Sequence, residues 1–454
     1  MGMRPFAMSL SAAFAAIMSA SMLAAGGPEP RHVVMISIDG LMPSVYTEPG
    51  PSKVPTLRRL AQEGTYAAGV IGVLPTVTYP SHTTMITGVA PAVHGIYENH
   101  PLDPEGRSGD AWYWYARDIQ VATLPGAVGS RGLSTAAVSW PATVGSDVDF
   151  LMPEYGRTFY PETLHLLRAL SHPRGLLDTY EAVRGTPLPW PLTDADRTGL
   201  AAWIFRTHRP HLTLLHIFET DSAQHDHGPG SAEALAALEQ ADEHVKIMLD
   251  AIAETGLGDR TDVVIVSDHG FLPIQQQIHP NRIFKEEGLL EVDESDNVRR
   301  WDAYVQGSGG VGFVFLNNPE DRSIRSRVET ILTNLAADPA NGILNVWGEE
   351  DLRKMGAHPR ASFALDMKDG FYSGSRHDVL RTPTSSKGGH GFDPMREELH
   401  ASLIMSGPDV PKSGSLGVVR MTQIAPTVAA WFDVGLSERA DEPLALKPAG
   451  TSTR

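Results

Sequence analysis

Six side chains of metal-binding type stand at the ends of apolar runs. Asp39 follows Ile36-Ser37-Ile38, and Asp221 follows the run 211–218 (HLTLLHIF), with His225 four residues on. Asp268 and His269 follow 262–267 (DVVIVS), and His390 lies in Lys387-Gly388-Gly389-His390-Gly391, ahead of the run 401–405 (ASLIM). Three imidazoles and three carboxylates suffice for two divalent cations with open positions, and His/Asp ligation suits zinc. Taken singly, each has a plainer reading. An Asp after a strand usually caps a turn, and a lone His usually sits in the core or on the surface. His94, His211, His216 and His279 are read that way. The full set is harder to dismiss, because Gly40, Gly270 and the glycines flanking His390 let backbone approach closely.

The segment 74–88 (LPTVTYPSHTTMITG) holds a candidate nucleophile. Pro80 suits a first helical turn and Gly88 a stop. Thr78 then falls at or just before a helix N-terminus, where a phosphoryl anion is favoured. A threonine hydroxyl is a poor nucleophile until a metal or base lowers its pKa. On this segment alone Thr78 reads as a helix cap.

The elements that must position these residues are short apolar strands separated by helices. The nearly continuous apolar runs 32–38, 211–218, 262–267 and 401–405 are typical of buried parallel strands. Residues 55–62 form a helix stopped by Gly64. From 231 to 254, Leu235, Leu238, Ala241, Val245, Met248 and Ile252 make one apolar helical stripe. The alternation predicts an α/β fold with a mostly parallel sheet covered on both faces. Ligands bind at the carboxyl ends of such strands, so the loops bearing the six ligands should converge. Two stretches break the rhythm: 100–190, rich in Pro, Gly and aromatics such as Trp112-Tyr113-Trp114-Tyr115, and 285–380, polar and charged with a strand at 311–316. Both are expected to form a cap beside the sheet.

The chain has 454 residues, a formal net charge of −17 and no cysteine. Its length allows a large core. The acidic balance argues against stable nucleic-acid binding. The missing cysteines exclude disulfides, thiol catalysis and thiolate metal sites. Arg4, an apolar run over 6–25 and small residues before Pro28 read as a signal peptide over 1–26, with a membrane anchor as the lesser option. No other long apolar run occurs. A periplasmic or secreted protein is expected, with no membrane span after signal removal, a catalytic domain over 27–440 and a tail over 441–454.

From Thr78 to Asn99 the chain reads T-Y-P-S-H-x-x-x-x-T-G-x-x-P-x-x-H-G-I-x-x-N. This resembles the nucleophile segment of the nucleotide pyrophosphatase/phosphodiesterases, within the alkaline phosphatase superfamily. Asp39-Gly40, Asp221/His225, Ser267-Asp268-His269-Gly270 and Gly388-Gly389-His390-Gly391 match in the same order, over about residues 32–435. The resemblance implies an alkaline-phosphatase-like three-layer α/β/α sandwich with an inserted cap, and two zinc ions. Asp221, His225 and His390 would hold one; Asp39, Asp268 and His269, with Thr78 as nucleophile, the other. Asn99 and the Thr78 N–H would bind a phosphoryl oxygen, and Tyr79 would contact the substrate's organic group. The implied chemistry is hydrolysis of a small-molecule phosphate ester, such as a nucleotide or other diester, through a phosphothreonine. A phosphomonoesterase, a C–P hydrolase or a non-catalytic metal-binding relative are the alternatives. A sulfatase fits less well: cysteine is absent, and His82 stands where an Arg would be needed. Ser81, Gln224 and Ala142-Thr143 depart from the family pattern of Asn, Gly and Gly-Ser, which bears on the leaving-group pocket rather than the metal ligands. No Arg or Lys lies between Ala61 and His100, which favours a diester over a monoester; Arg157, Arg376 and Lys387 are the cations that would reverse this.

Overall fold

The strand His32–Ile38 sends alternate side chains into two different cores, as a strand buried on both faces must. Val34, Ile36 and Ile38 join one, and Val33 and Met35 the other. The same division holds for Leu215 and Ile217 against Leu212 and Leu214, and for Val263 and Ile265 against Val264 and Val266. On the first face lie the helices Pro55–Glu63, Asp194–His208 and Ala232–Glu254, through Leu57, Leu200, Phe205, Val245 and Met248. On the second lie Thr78–Thr87, Leu124–Ser130 and Ile424–Trp431, through Met85, Ile86, Val128 and Val428. The result is a three-layer α/β/α sandwich of alkaline-phosphatase type. This computed structural model describes residues 31–109, 111–156 and 162–446. The signal peptide expected over 1–26, Arg157 and the last part of the tail lie outside the described residues.

Among the described residues the central sheet has eight strands, in the order Gly414–Ser415, Thr65–Tyr66, Leu403–Ser406, Thr261–Val266, His32–Ile38, Leu212–Ile217, Thr135–Val138, Phe150–Met152. His32–Ile38 pairs in parallel with both neighbours, Ile38 opposite Ile217 and Ser37 opposite Val266. The three strands therefore end level, and the chain leaves each at the same edge with Asp39, Asp221 or Asp268 in the loop or helix that follows.

Two expectations are corrected. The strand Leu403–Ser406 runs antiparallel to Thr261–Val266, with Leu403 opposite Val266 and Ser406 opposite Val263. Its apolar run reported burial but not direction. The chain enters this strand at the edge where its neighbours leave, which is how the loop bearing His390 reaches that edge. Residues 100–190, expected wholly beside the sheet, supply two adjacent strands at one end of it, the inner Thr135–Val138 and the edge strand Phe150–Met152. Residues 303–367 build a separate antiparallel sheet, ordered Ala303–Ser308, Val311–Leu316, Phe363–Met367, Ile343–Gly348. The helix Arg322–Ala337 shares a third core with it, around Phe313, Phe315, Val328 and Leu332.

Candidate active site

The six predicted ligands meet as two triads. In one, His269 Nε2 lies 3.4 Å from Asp39 Oδ1 and 3.2 Å from Asp268 Oδ2. In the other, His225 Nε2 lies 3.3 Å from Asp221 Oδ1, and His390 Nε2 lies 3.7 Å from the same oxygen and 3.1 Å from His225 Nε2. In each triad one donor atom per residue falls within 4.8 Å of the others.

The surrounding backbone fixes what these atoms present. His225 Nδ1 faces the Gly388 carbonyl at 2.9 Å, His390 Nδ1 the Thr76 carbonyl at 2.9 Å, and His269 Nδ1 the Gly270 carbonyl at 3.2 Å. A carbonyl can only accept, so Nδ1 carries the proton and Nε2 turns a lone pair into the site, as a metal-binding histidine requires. Asp268 Oδ1 accepts from the Gly40 and His269 N–H groups, each at 3.1 Å, leaving Oδ2 over. The buried atoms Asp39 Oδ1, Asp221 Oδ1, Asp268 Oδ2 and His269 Nε2 have no hydrogen-bond partner. Such atoms are costly unless something outside the chain satisfies them.

The electrostatics point the same way. Burial, then the Asp268 and Asp221 charges, pushes the Asp39 carboxyl well above its ordinary range, and burial raises Asp268 too. Burial pushes His269 and His390 down to about 3. Burial also works against the ionised forms of Asp221 and His225, but their mutual attraction outweighs it, lowering the carboxyl and raising the imidazole. Crowded buried carboxylates and neutral imidazoles with converging lone pairs are a donor set that a divalent cation fits.

Thr78 is the first residue of the helix Thr78–Thr87, one past the N-cap position held by Val77. It lines a cleft of about 910 Å³ together with Asp39, Asp221 and His225. His82 pins this helix start: its Nδ1 lies 2.8 Å from the Thr78 carbonyl and its Nε2 2.8 Å from Ser37 Oγ, one strand residue before Ile38. Asn99 Oδ1 accepts from the Tyr79 N–H at 2.9 Å, which leaves the amide NH₂ as the free end.

The profile of the type I phosphodiesterase / nucleotide pyrophosphatase family matches residues 33–393. The chain belongs to this family. It is 26% identical over 254 residues to human ectonucleotide pyrophosphatase/phosphodiesterase family member 1, covering 54% of this chain and 24% of that protein. It is 26% identical over 269 residues to the venom phosphodiesterase of Macrovipera lebetinus, covering 57% of this chain and 27% of that one. The matched region spans about a quarter of the length of these curated relatives. Among solved structures, human ectonucleotide pyrophosphatase/phosphodiesterase 5 superposes with a TM-score of 0.63 at 17% identity, covering 89% of this chain and 96% of that one. The murine counterpart, in an inactive form in complex with AMP, gives the same TM-score. These structural likenesses support the fold.

Tyr79, expected to meet the substrate, is fully buried in this member of the family. Its hydroxyl donates to Glu154 Oε1 at 3.0 Å, and its ring packs 5.2 Å from that of Trp112. The aromatic rings that line the cleft are instead Trp112, Trp114, Tyr155, Trp190 and Phe218.

Two residues of the site escaped the sequence reading. His216, taken as structural, sets Nε2 3.2 Å from Asp39 Oδ2 and Nδ1 3.1 Å from Glu154 Oε2. Burial opposes its charge, but the two carboxylates outweigh burial and raise its pKa to about 10. A polar residue inside an apolar strand, opposite Ser37 in register, was the available signal. Arg197 lies in the cleft wall, nearly buried, its guanidinium 3.9 Å over the Phe218 ring. It donates to Ser139 Oγ at 3.2 Å, the Leu192 carbonyl at 2.9 Å and Asp194 Oδ1 at 3.3 Å. Of the cations considered from sequence, Arg376 is exposed and paired with Asp378 at 2.9 and 2.5 Å, and Lys387 is exposed.

Proposed function

We propose that this chain is a two-zinc phosphodiesterase that works through a phosphothreonine on Thr78. The observation that carries the reading is the convergence of two Asp/His triads, with unpartnered donor atoms, beside a threonine at a helix start. Bound zinc would supply Lewis-acid stabilisation of charge at the attacking and leaving oxygens, one ion held by Asp39, Asp268 and His269, the other by Asp221, His225 and His390. Thr78 Oγ gives up its proton to solvent and attacks phosphorus in line; the Oγ–P bond forms as the bond to the leaving oxygen breaks, and that oxygen takes up a proton from solvent. Water then attacks the phosphothreonine, and Thr78 leaves as the hydroxyl. The Asn99 amide NH₂ and the Thr78 N–H, at the start of the Thr78–Thr87 helix, stabilise the equatorial oxygens.

A diester suits this site better than a monoester. A monoester dianion calls for a cation on the oxygens that the metals leave uncovered. Arg197 is held by Ser139, Leu192 and Asp194, Arg376 by Asp378, and Lys387 does not line the cleft beside the triads. A diester's second substituent also needs apolar surface, and the rings of Trp114, Tyr155 and Phe218 offer it. The substrate is then a nucleotide or related small diester. With the leader expected over 1–26 the enzyme acts in the periplasm or outside the cell. No described helix is long and apolar enough to cross a membrane. The test is a panel of p-nitrophenyl phosphate, methyl p-nitrophenyl phosphate and thymidine 5′-(p-nitrophenyl phosphate). Turnover of the two diesters by metal-replete enzyme is expected, and its absence overturns the reading.

A further inference from the structure

A second cleft, of about 400 Å³, opens beside the first. His225 lines both. Thr78 and Asp39 line only the first; His390 and Asn99 line only the second. In an in-line displacement the leaving oxygen departs opposite the attacking one. A group leaving away from Thr78, along the His225 and His390 side, therefore enters the second cleft.

The wall of that cleft is chemically one-sided. Among the described residues lining it there is no Lys or Arg, while Glu98 and Asp103 both contribute. Asp103 is occupied by the N–H groups of Arg107 and Ser108. Glu98 is not. It is 4% exposed, one carboxyl oxygen accepts the Ser308 hydroxyl, and the other, Oε1, is buried with no hydrogen-bond partner. Burial pushes its carboxyl up to about 8, so its charge is held back until a donor or cation arrives. A phosphate leaving group brought here would add negative charge beside Glu98 and meet no cation. An alcohol carrying an O–H or N–H donor would satisfy the orphaned oxygen.

We propose that this cleft is the leaving-group subsite, and that Glu98 makes it select an uncharged or cationic alcohol bearing its own hydrogen-bond donors over a phosphate or polyphosphate. The inference rests on the diesterase reading above and names its substrate class. Four thymidine 5′-phosphate esters, which share the transferred group, test it: those of p-nitrophenol, glycerol, 2-aminoethanol and phosphate (the last being thymidine diphosphate). Glu98→Gln is expected to lower kcat/KM for the 2-aminoethanol ester at least tenfold more than for the p-nitrophenyl ester. A larger loss on the glycerol ester than on the 2-aminoethanol ester would assign the natural donor as a hydroxyl. Gln306→Lys, at a half-buried position in the same wall, is expected to raise thymidine diphosphate turnover relative to the p-nitrophenyl ester about fivefold. It does not depend on Glu98→Gln folding. Binding gives a readout without turnover. In Thr78→Ala, calorimetry should show the 2-aminoethanol ester binding several-fold more tightly than the methyl ester, with the difference lost on adding Glu98→Gln. Equal losses on all four esters in Glu98→Gln, with no change in discrimination from Gln306→Lys, would overturn the subsite while leaving the diesterase standing. Failure of the unsubstituted enzyme to turn over any of the four esters would overturn both.

Discussion

The imidazole of His390 stacks on that of His269, with ring centroids 3.6 Å apart and planes 10° from parallel. One ring belongs to each triad, so the two sets of donors are in direct contact. His390→Ala therefore removes a donor from one triad and the packing partner of a donor in the other. Zinc content is expected to fall from about two per chain to about one or less, with partial recovery of activity on adding zinc. Elemental analysis of protein purified without chelator, before and after the substitution, checks both figures. Unchanged stoichiometry and activity would remove His390 from the site.

Thr78→Ala is expected to lower turnover of any diester about a thousandfold or more, because the covalent route is lost. Thr78 lines the cleft rather than capping its helix, whose N-cap position is held by Val77. Fold and metal content should survive, which circular dichroism and elemental analysis will show. Most of the activity remaining on metal-replete protein would mean that another group attacks phosphorus.

His216 bridges Asp39 and Glu154, and Glu154 in turn accepts the Tyr79 hydroxyl. Removing it leaves a buried donor carboxylate without its orienting partner. His216→Ala is expected to weaken metal binding at the Asp39 triad about 10- to 100-fold. Titration of the stripped protein with zinc measures this, and an unaltered affinity would reduce His216 to packing.

How much of this arrangement the sequence discloses depends on what each signal encodes. An apolar run reports burial on both faces, and so the strands 32–38, 211–218 and 262–267 and the acidic residues after them were readable. The same run over 401–405 carries no direction, because hydropathy has none. Thr135–Val138 is Thr-Ala-Ala-Val, too short and too weakly apolar to announce a strand of the sheet amid a Pro- and Gly-rich stretch. Tyr79 was expected at the substrate because the family resemblance puts a substrate-contacting aromatic at that position. Its exclusion from solvent is set by Trp112 and Glu154, which lie 33 and 75 residues on. Arg197 is a charged residue on a helix, and only the fold turns it towards Phe218.

The chain should lose stability as pH falls below about 6.5, independently of the metal site. His94 Nδ1 accepts the Ile96 N–H at 3.1 Å, so its proton is on Nε2, 3.1 Å from Thr84 Oγ. Burial pushes His94 down from 6.5 to about 3, and His358 likewise. The unfolded chain takes up these protons below about 6.5, while the folded chain resists them until about 3. Stability from this source is thus whole above 6.5 and lost progressively as pH falls towards 3. His94→Gln should flatten the slope of Tm against pH in that window, measured on metal-replete protein by calorimetry. A slope unchanged by the substitution would place the acid sensitivity elsewhere.

Preference for a diester over a monoester follows from where the cations are. A monoester near neutral pH is largely a dianion with three non-bridging oxygens, and a diester is a monoanion with two. Zinc held by the two triads would neutralise charge on one side of phosphorus, and Asn99 offers an uncharged NH₂ on the other. A dianion needs more than that. Arg197 reaches the cleft wall, but its Nε and Nη1 N–H groups go to Ser139, Leu192 and Asp194, and its charge is offset by the Asp194 carboxylate. Arg376 forms a two-pronged pair with Asp378 in solvent. Lys387 binds its neighbours through its backbone, its N–H donating to the His225 carbonyl at 2.7 Å, while its side chain is exposed. The kcat/KM for methyl p-nitrophenyl phosphate is therefore expected to exceed that for p-nitrophenyl phosphate by about tenfold or more, equivalent to about 1.4 kcal/mol of transition-state binding. A clear preference for the monoester, abolished by Lys387→Ala or Arg376→Ala, would show that one of these cations swings onto the phosphoryl group and would make the enzyme a phosphatase.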